Sequence, residues 1–550
     1  MSILATPAPG RIPFCCRLAA MMLTLAVWVG VSVSRAPASL IAADPTSPDV
    51  EQILAQADRD IQTYHWRDAL RVLKKAQGAG DSAEKKAVAQ RIRWCAANAA
   101  LEDRYDSENL AGYFRSVDSQ EALNQLREVL LLIDENYYAP IDKQKRLSDA
   151  LFQLSAATEN PRVLAQYGAA GDELVALRRK IDQARRQVAA AKAYDNQRIL
   201  NLAALLSQAC RGTGFGDAWP VLELAYAYAG SLDGYSHLLG PNEYRSLKER
   251  LQGFYVGIGI DLVLVDSYPV VFDVVPQSPA YRGGIRPGDT LLEVDNRDVR
   301  DVTMGQIGTL IAGPAESEMT MTLARKKEIF TCSVTRRLIQ APSVRNVHVI
   351  DPDKHIGYLR VATFDQDTAM EMRRAIDKLV QAGARSLMVD LRCNGGGIMK
   401  SGIAAARVFL DRGAIVTVNS SQNTRTFRAD ALGPAPYKMP VALLVDENTA
   451  SAAEIFTAAL QDNRRATVIG RQTFGKGLVQ SIYHLNQSGS ALCLTTASSL
   501  PPGKISFHLT GITPNISITP AQQSTENVFS SACFLADDDS VLQQALRCLN

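Results

Sequence analysis

Histidine is scarce in this chain, with six in 550 residues. That scarcity weakens any reading built on a histidine-rich metal centre or on histidine as the general base. No C-x-x-C pair occurs among the nine cysteines at 15, 16, 95, 210, 332, 393, 493, 533 and 548. A zinc ribbon or a thioredoxin-type redox site is therefore disfavoured. Net charge is nearly absent: 59 Lys and Arg against 57 Asp and Glu leave +2. A dedicated nucleic-acid binder needs a basic excess that this chain does not have. Only one stretch is apolar enough to engage a bilayer, which excludes a multi-span membrane protein. There is no G-x-S-x-G either, since Gly234-Tyr-Ser-His-Leu238 lacks the last glycine.

What is present is ordinary for a globular protein, 47% hydrophobic and 21% charged. The length suggests roughly three to four domains. The N-terminus reads as a targeting segment. Arg11 and Arg17 precede an uncharged apolar run, Leu18 to Ser34, and the small residues Ala36, Ala38, Ala42 and Ala43 follow. Residues 1–43 are expected to be an export signal, or an anchor through residues 18–34 where it is not cleaved, which places the chain in the periplasm or cell envelope. Cys15 and Cys16 precede the run, so neither sits where a lipoprotein cysteine should. Cys533 and Cys548 are candidates for one bridge in an oxidising compartment, with small buried thiols as the rival reading.

From Asp49 to about Leu232 the chain is rich in Ala, Leu, Glu, Arg and Gln, with apolar residues at helical spacing in Ala69, Leu70, Val72, Leu73 and Ala76. Helical hairpins are expected, punctuated by Pro140 and Pro161. Residues 44–120 form a helical extension of unassigned role and 121–245 a second helical region. From Gly253 glycine rises and β-branched runs appear, Val256–Val265, Val270–Val275 and Thr290–Val294. This β-rich module spans 246–341. Over 342–520 strand-like and helical runs alternate, which argues for an α/β core. The expected strands are His355–Val361, Ser386–Leu391, Val441–Val445, Ala466–Ile469 and Leu478–Leu485; the expected helices are Thr368–Ala382, Met399–Leu410 and Ala450–Asp462. Residues 521–550 form a tail.

Three glycine-containing loops compete for a function. Gly470 to Gly477 spells a phosphate loop except at its last position, where Gly477 replaces the hydroxyl that holds magnesium, and a strand follows instead of a helix. Gly257-Ile258-Gly259-Ile260 suits a loop whose amides receive a peptide carboxylate, followed by an edge strand open to β-augmentation. Asp390 to Gly397 closes a buried strand, and its three glycines let backbone amides approach a ligand as an oxyanion hole; a plain glycine turn is the rival reading. Ser451 lies at a strand-to-helix turn, the logic of a nucleophile elbow, while Thr449 or Ser451 with Glu454 equally makes a helix cap. A serine needs a base. His484 lies in a strand-like run. Lys476 sits among Phe474, Leu478 and Val479, where desolvation lowers an amine's pKa. Ser–Lys is an established variant of triad logic.

Taken together, these segments resemble the carboxyl-terminal processing peptidases, or tail-specific proteases, of the S41 serine peptidase family. The resemblance runs from about Gln120 to Pro520. It rests on Asp233 to Pro241, Gly257 to Ile260, Ser278 to Ala280 with Gly284 to Asp289, Ile356 to Val361, Asp390 to Gly397, Thr449 to Glu454, Thr473 to Gly477 and Gly511 to Pro514. It implies a multidomain α/β protein: an N-terminal helical region, a PDZ-like β-rich module and an α/β (crotonase/ClpP-like) peptidase core. It implies Ser451 as nucleophile, Lys476 as base, 25 residues on, and Gln480 to orient the lysine. Asp462 is implied as structural support, and Ala452 and Gly396 as oxyanion donors. Gly257, Ile258, Gly259 and Ile260 are implied to bind substrate tails. No metal and no cofactor are implied. The implied partners are proteins or peptides with flexible apolar C-termini. The N-terminal helical region leaves room for an adaptor or activator, and a homo-oligomer is compatible. Departures are Ala453 for a common serine, Gly234 and Tyr235 for the usual proline and histidine, and Asn515 for an aspartate. They bear on the substrate rim and packing. A binding scaffold that has lost turnover is the alternative from another class.

Overall fold

The computed structural model describes residues 24–25, 50–105, 108–265, 268–300, 302, 304–326, 328–429, 437–486, 488–518 and 539–549. The expected export segment, save for Thr24–Leu25, lies outside the described residues, as do Cys15, Cys16, Cys533 and most of the expected tail. Among the described residues no helix is long and apolar enough to cross a membrane.

Helices run from Val50–Gln62 to Trp219–Gly230. Their starts follow local chemistry. Asp81 and Glu84 form a reciprocal capping box ahead of Ser82–Arg104. Asn160 caps Pro161–Tyr167, whose proline occupies the first turn, where its missing N–H costs nothing. Leu126, Leu130, Leu151, Leu177 and Trp219 belong to one buried cluster. Glu223 is buried among them and is satisfied by Arg104 and by the Tyr105 hydroxyl at 2.9 Å, so it locks the 82–104 helix onto the helices that follow.

The β-rich module is an antiparallel sheet in the order Ile260–Val265, Tyr268–Val274, Thr290–Val294, Glu318–Arg325, Glu328–Thr335. The run expected as one strand, Val256–Val265, is two: Phe254–Gly257 pairs with Arg337–Gln340, and Ile260–Val265 starts anew. Gly259 makes the break, with φ 86°, a value that glycine adopts without strain. Ile260–Val265 is an edge strand of its sheet.

The core sheet runs Val344–Asp351, Ile356–Val361, Ser386–Asp390, Val441–Val445, Thr467–Gly470, Ile516–Ser517, parallel from its second strand onward. Its central strands are buried on both faces, which explains their continuous apolar runs. A second, antiparallel sheet carries Leu478–His484 beside Ala491–Leu500 and Ala414–Ser420, with His237–Leu239 at one side. Thr24–Leu25 pairs with Ser481 and Gln480 of this sheet. The helix Ala452–Asp462 is buried nearly throughout, between Met399–Ala406 and Ala414–Ser420. Arg345 and Arg360 of the core sheet meet Asp261 and Asp273 of the β-rich module in a buried ionic cluster, so the two units are joined by charge.

Candidate active site

Ser451 sits where the chain turns from the strand Val441–Val445 into the helix Ala452–Asp462. This is the carboxyl end of a parallel strand, where open α/β sheets place their ligands. Its φ is 58° and ψ −115°, a conformation that costs a residue bearing a Cβ roughly 1–3 kcal/mol. The helix-cap reading is half met. Glu454 Oε2 accepts the Ser451 N–H at 2.8 Å, but the Ser451 hydroxyl bonds none of the first helical amides. The Thr449 hydroxyl is spent on Leu391 O at 2.9 Å. The cap is thus made by a carboxylate, and the serine hydroxyl is left for other work.

Lys476 is 3% exposed. Burial pushes its ammonium down to about 8, against opposing pulls from Cys493, Asp233 and Glu454. Its Nζ lies 4.7 Å from the centroid of the Tyr235 ring. Tyr235, expected to bear on the substrate rim and packing, is a wall of the lysine's own pocket. Leu478 and Val479 are buried as expected, whereas Phe474 is exposed. His484, the rival base, is exposed at the far end of the strand and stacks on Tyr244.

Sequence reasoning saw Glu454 only as a cap partner. The structure gives it a larger part. Its carboxylate is fully buried. Besides Ser451 N it accepts Lys476 N at 2.8 Å, Gly475 N at 2.7 Å and the Thr473 hydroxyl at 2.6 Å. One side chain therefore holds the backbone of both Ser451 and Lys476. Burial raises its carboxyl pKa, and these four donors pull it back down. The signal available in the sequence was an acid within an otherwise apolar helix start.

Gln480 is 1% exposed; its Nε2 donates to Thr495 Oγ1 at 3.2 Å, and its buried Oε1 has no partner among the described residues. Thr495 N donates to Ser236 Oγ at 3.0 Å, and Ser236 Oγ donates to Asp233 Oδ2 at 2.9 Å. A polar chain thus runs from Asp233 to Gln480. Asp462 ends the helix, and its Oδ2 accepts Gly503 N at 2.8 Å. Asn515 Oδ1 accepts Val468 N at 2.9 Å, a task an aspartate would perform equally.

The Ala452 amide is the first of its helix, one of the donors that no intrahelical carbonyl satisfies. The Gly396 amide differs from the expectation. It donates to Asn394 Oδ1 at 2.8 Å, because the Asn394 side chain folds back on its own turn and bonds Val361 O at 2.7 Å as well. Gly396 contributes closeness instead. A Cβ there would stand 2.7 Å from Ala450 O and 2.8 Å from Ser451 Cβ. The amides of Gly395 and Gly397 make no hydrogen bond among the described residues.

In the β-rich module, Gly257 pairs with Arg337, Ile258 is buried in the module's core, and Ile260 opens the edge strand. A Cβ on Gly259 would stand 2.3 Å from Ser278 Cβ. A hollow of about 300 Å³ beside it is lined by Val275, Gln277, Pro279, Arg282 and Leu338.

Residues 355–518 match the model of peptidase family S41, and residues 270–325 that of the PDZ domain. The chain is 31% identical over 322 residues to carboxyl-terminal-processing peptidase 2, chloroplastic, of Arabidopsis thaliana, covering 55% of this chain and 62% of that protein. It is 32% identical over 293 residues to the carboxy-terminal-processing protease of Bartonella bacilliformis, covering 52% of this chain and 66% of that protein. The match therefore spans less than two thirds of these relatives' length. Among solved structures, the photosystem II D1 C-terminal processing protease aligns at 23% identity and a TM-score of 0.45, over 76% of this chain and 98% of that one.

Proposed function

This chain carries a family S41 peptidase domain and a PDZ domain and is a homologue of the carboxyl-terminal-processing proteases; from that premise we propose that it is an exported serine endopeptidase acting through Ser451 and Lys476. Substrates are envelope proteins with flexible apolar C-termini. The tail adds to the edge strand Ile260–Val265, with the Gly257–Ile260 loop receiving its carboxylate. Export rests on the signal-like pattern of residues 1–43.

Neutral Lys476 Nζ takes the Ser451 proton as Oγ attacks the scissile carbonyl. The Ala452 amide, with an amide of the Gly395–Gly397 turn, receives the oxyanion. The Lys476 ammonium then gives its proton to the leaving amine. The acyl–enzyme ester is hydrolysed by water, whose proton passes to Lys476 and then back to Ser451. Ser451 Oγ and Lys476 Nζ are not hydrogen-bonded to each other among the described residues, and catalytic contacts commonly tighten only when substrate binds.

The observation that carries the proposal is the buried amine at about 8, whose backbone Glu454 ties to that of Ser451, a serine whose hydroxyl has no hydrogen-bond partner among the described residues. The test is cleavage of an unfolded reporter with an apolar tail by the chain lacking residues 1–43. Lys476→Ala and Ser451→Ala should each abolish it while the circular dichroism is retained. Full activity in Lys476→Ala would sink the dyad. Tail binding without cleavage by the parent would favour a binding scaffold.

A further inference from the structure

We propose that the C-terminal helix Ser540–Cys548, beyond the matched peptidase domain, is a positioning element for the glycine turn behind Ser451, acting through the contact of Asp539 with Arg392. The helix packs Leu542 and Ala545 into a cluster with Ile356, Tyr358, Met388 and Ile469, on one face of the core sheet. Its cap residue does two things at once. Asp539 Oδ1 accepts the amides of Val541 and Leu542 at 3.1 and 3.0 Å. Asp539 Oδ2 accepts Arg392 Nη1 at 2.6 Å, with the two side chains only 5% and 3% exposed. The helix end is thereby pinned to Arg392, the second residue after the strand Ser386–Asp390.

Arg392 begins the turn that carries Gly395 to Gly397. Its guanidinium lies between two carboxylates, Asp390 and Asp539. The next residue, Cys393, has φ 58°. A non-glycine residue in that region persists only where its surroundings over-determine it. Two anchors do so here. Arg392 is clamped by the carboxylates, and the Cys393 amide donates to Asp446 at 3.0 Å. Weakening the Arg392 clamp lets the strained turn relax, and that turn lies so close to the nucleophile that a Cβ on Gly396 would fall 2.8 Å from Ser451 Cβ and 3.0 Å from Ala452 N. The amides beside the nucleophile then move relative to the carbonyl they must serve, which lowers turnover and leaves tail recognition on the PDZ module untouched.

The inference rests on Ser451 being the nucleophile. Its test is Asp539→Asn in the full chain lacking residues 1–43, because asparagine keeps the helix cap and removes the charge. With the apolar-tailed reporter, kcat should fall about tenfold with KM unchanged, less than the loss from deleting an oxyanion donor outright. The melting temperature should change little. A kcat within about twofold of an active parent would overturn the inference alone. So would a loss that follows the unfolded fraction at the assay temperature, since that is a merely structural role. Absence of cleavage by the parent would overturn the reading of Ser451 and this inference together.

Discussion

Lys476→Met should kill the enzyme and stabilise the protein. The amine is 3% exposed, and burial moves its pKa from 10.5 down to about 8. At pH 7 the folded chain therefore holds an ammonium that the unfolded chain solvates better, at a cost of about 3 kcal/mol. The sign follows from proton counts. Below about 8 both states carry the proton, and the cost is present in full. Between about 8 and 10.5 the unfolded state binds the proton that the folded state lacks, so stability rises with pH. Methionine has similar volume, keeps the apolar packing of the stem and titrates nowhere. The variant should thus exceed the parent by about 3 kcal/mol at pH 7, and by only about 1 kcal/mol at pH 10. Urea unfolding of both proteins at the two pH values measures this, beside an activity assay that should read zero for the variant. A variant less stable than the parent at pH 7, or a gap that does not narrow by pH 10, would refute the reasoning.

Three other substitutions probe the scaffold. Glu454→Gln places an amide NH2 against donors that now face carboxylate oxygens; it should destabilise the fold by about 3 kcal/mol and abolish cleavage, read by melting and by reporter assay. Gly396→Ala puts a methyl 2.8 Å from Ser451 Cβ on a residue at φ 102°; kcat should fall by about a hundredfold or more, measured on protein that remains folded. Gly259→Val drives a side chain into Ser278, 2.3 Å from the position of its Cβ; fluorescence titration should show loss of apolar-tail peptide binding, while cleavage of a short peptide with no free tail persists.

The chemistry-bearing residues were more legible in the sequence than the contacts that hold them. Ser451 and Lys476 lie in short motifs beside strand ends, and their apolar neighbours are visible within a few positions. Glycine and β-branched runs likewise marked the module and the core. What could not be read was long-range. Lys476 is walled by Tyr235, which is distant in the chain, and the pocket reading leaned on Phe474, which is exposed. Glu454 is local to Ser451, and its bonds to Thr473, Gly475 and Lys476 require the loop to fold back over the helix. The glycine at 396 suits an amide brought close to a ligand, but Asn394 takes that amide from within the same turn. The single run Val256–Val265 concealed a break because periodicity does not reveal where Gly259 turns left-handed. The tie of Asp539 to Arg392 carries no local signal, since Arg392 belongs to another part of the fold.

The central claim is that a neutral lysine is the base, and the pH dependence of kcat/KM tests it most directly. For the parent lacking residues 1–43, the profile reports the free enzyme's base. With the amine at about 8, activity should climb from pH 6.5 to 9 with an inflection about there, and only about a tenth of the enzyme should be competent at pH 7. A profile flat across that range, or one that inflects near pH 6.5 as a histidine would, contradicts the account.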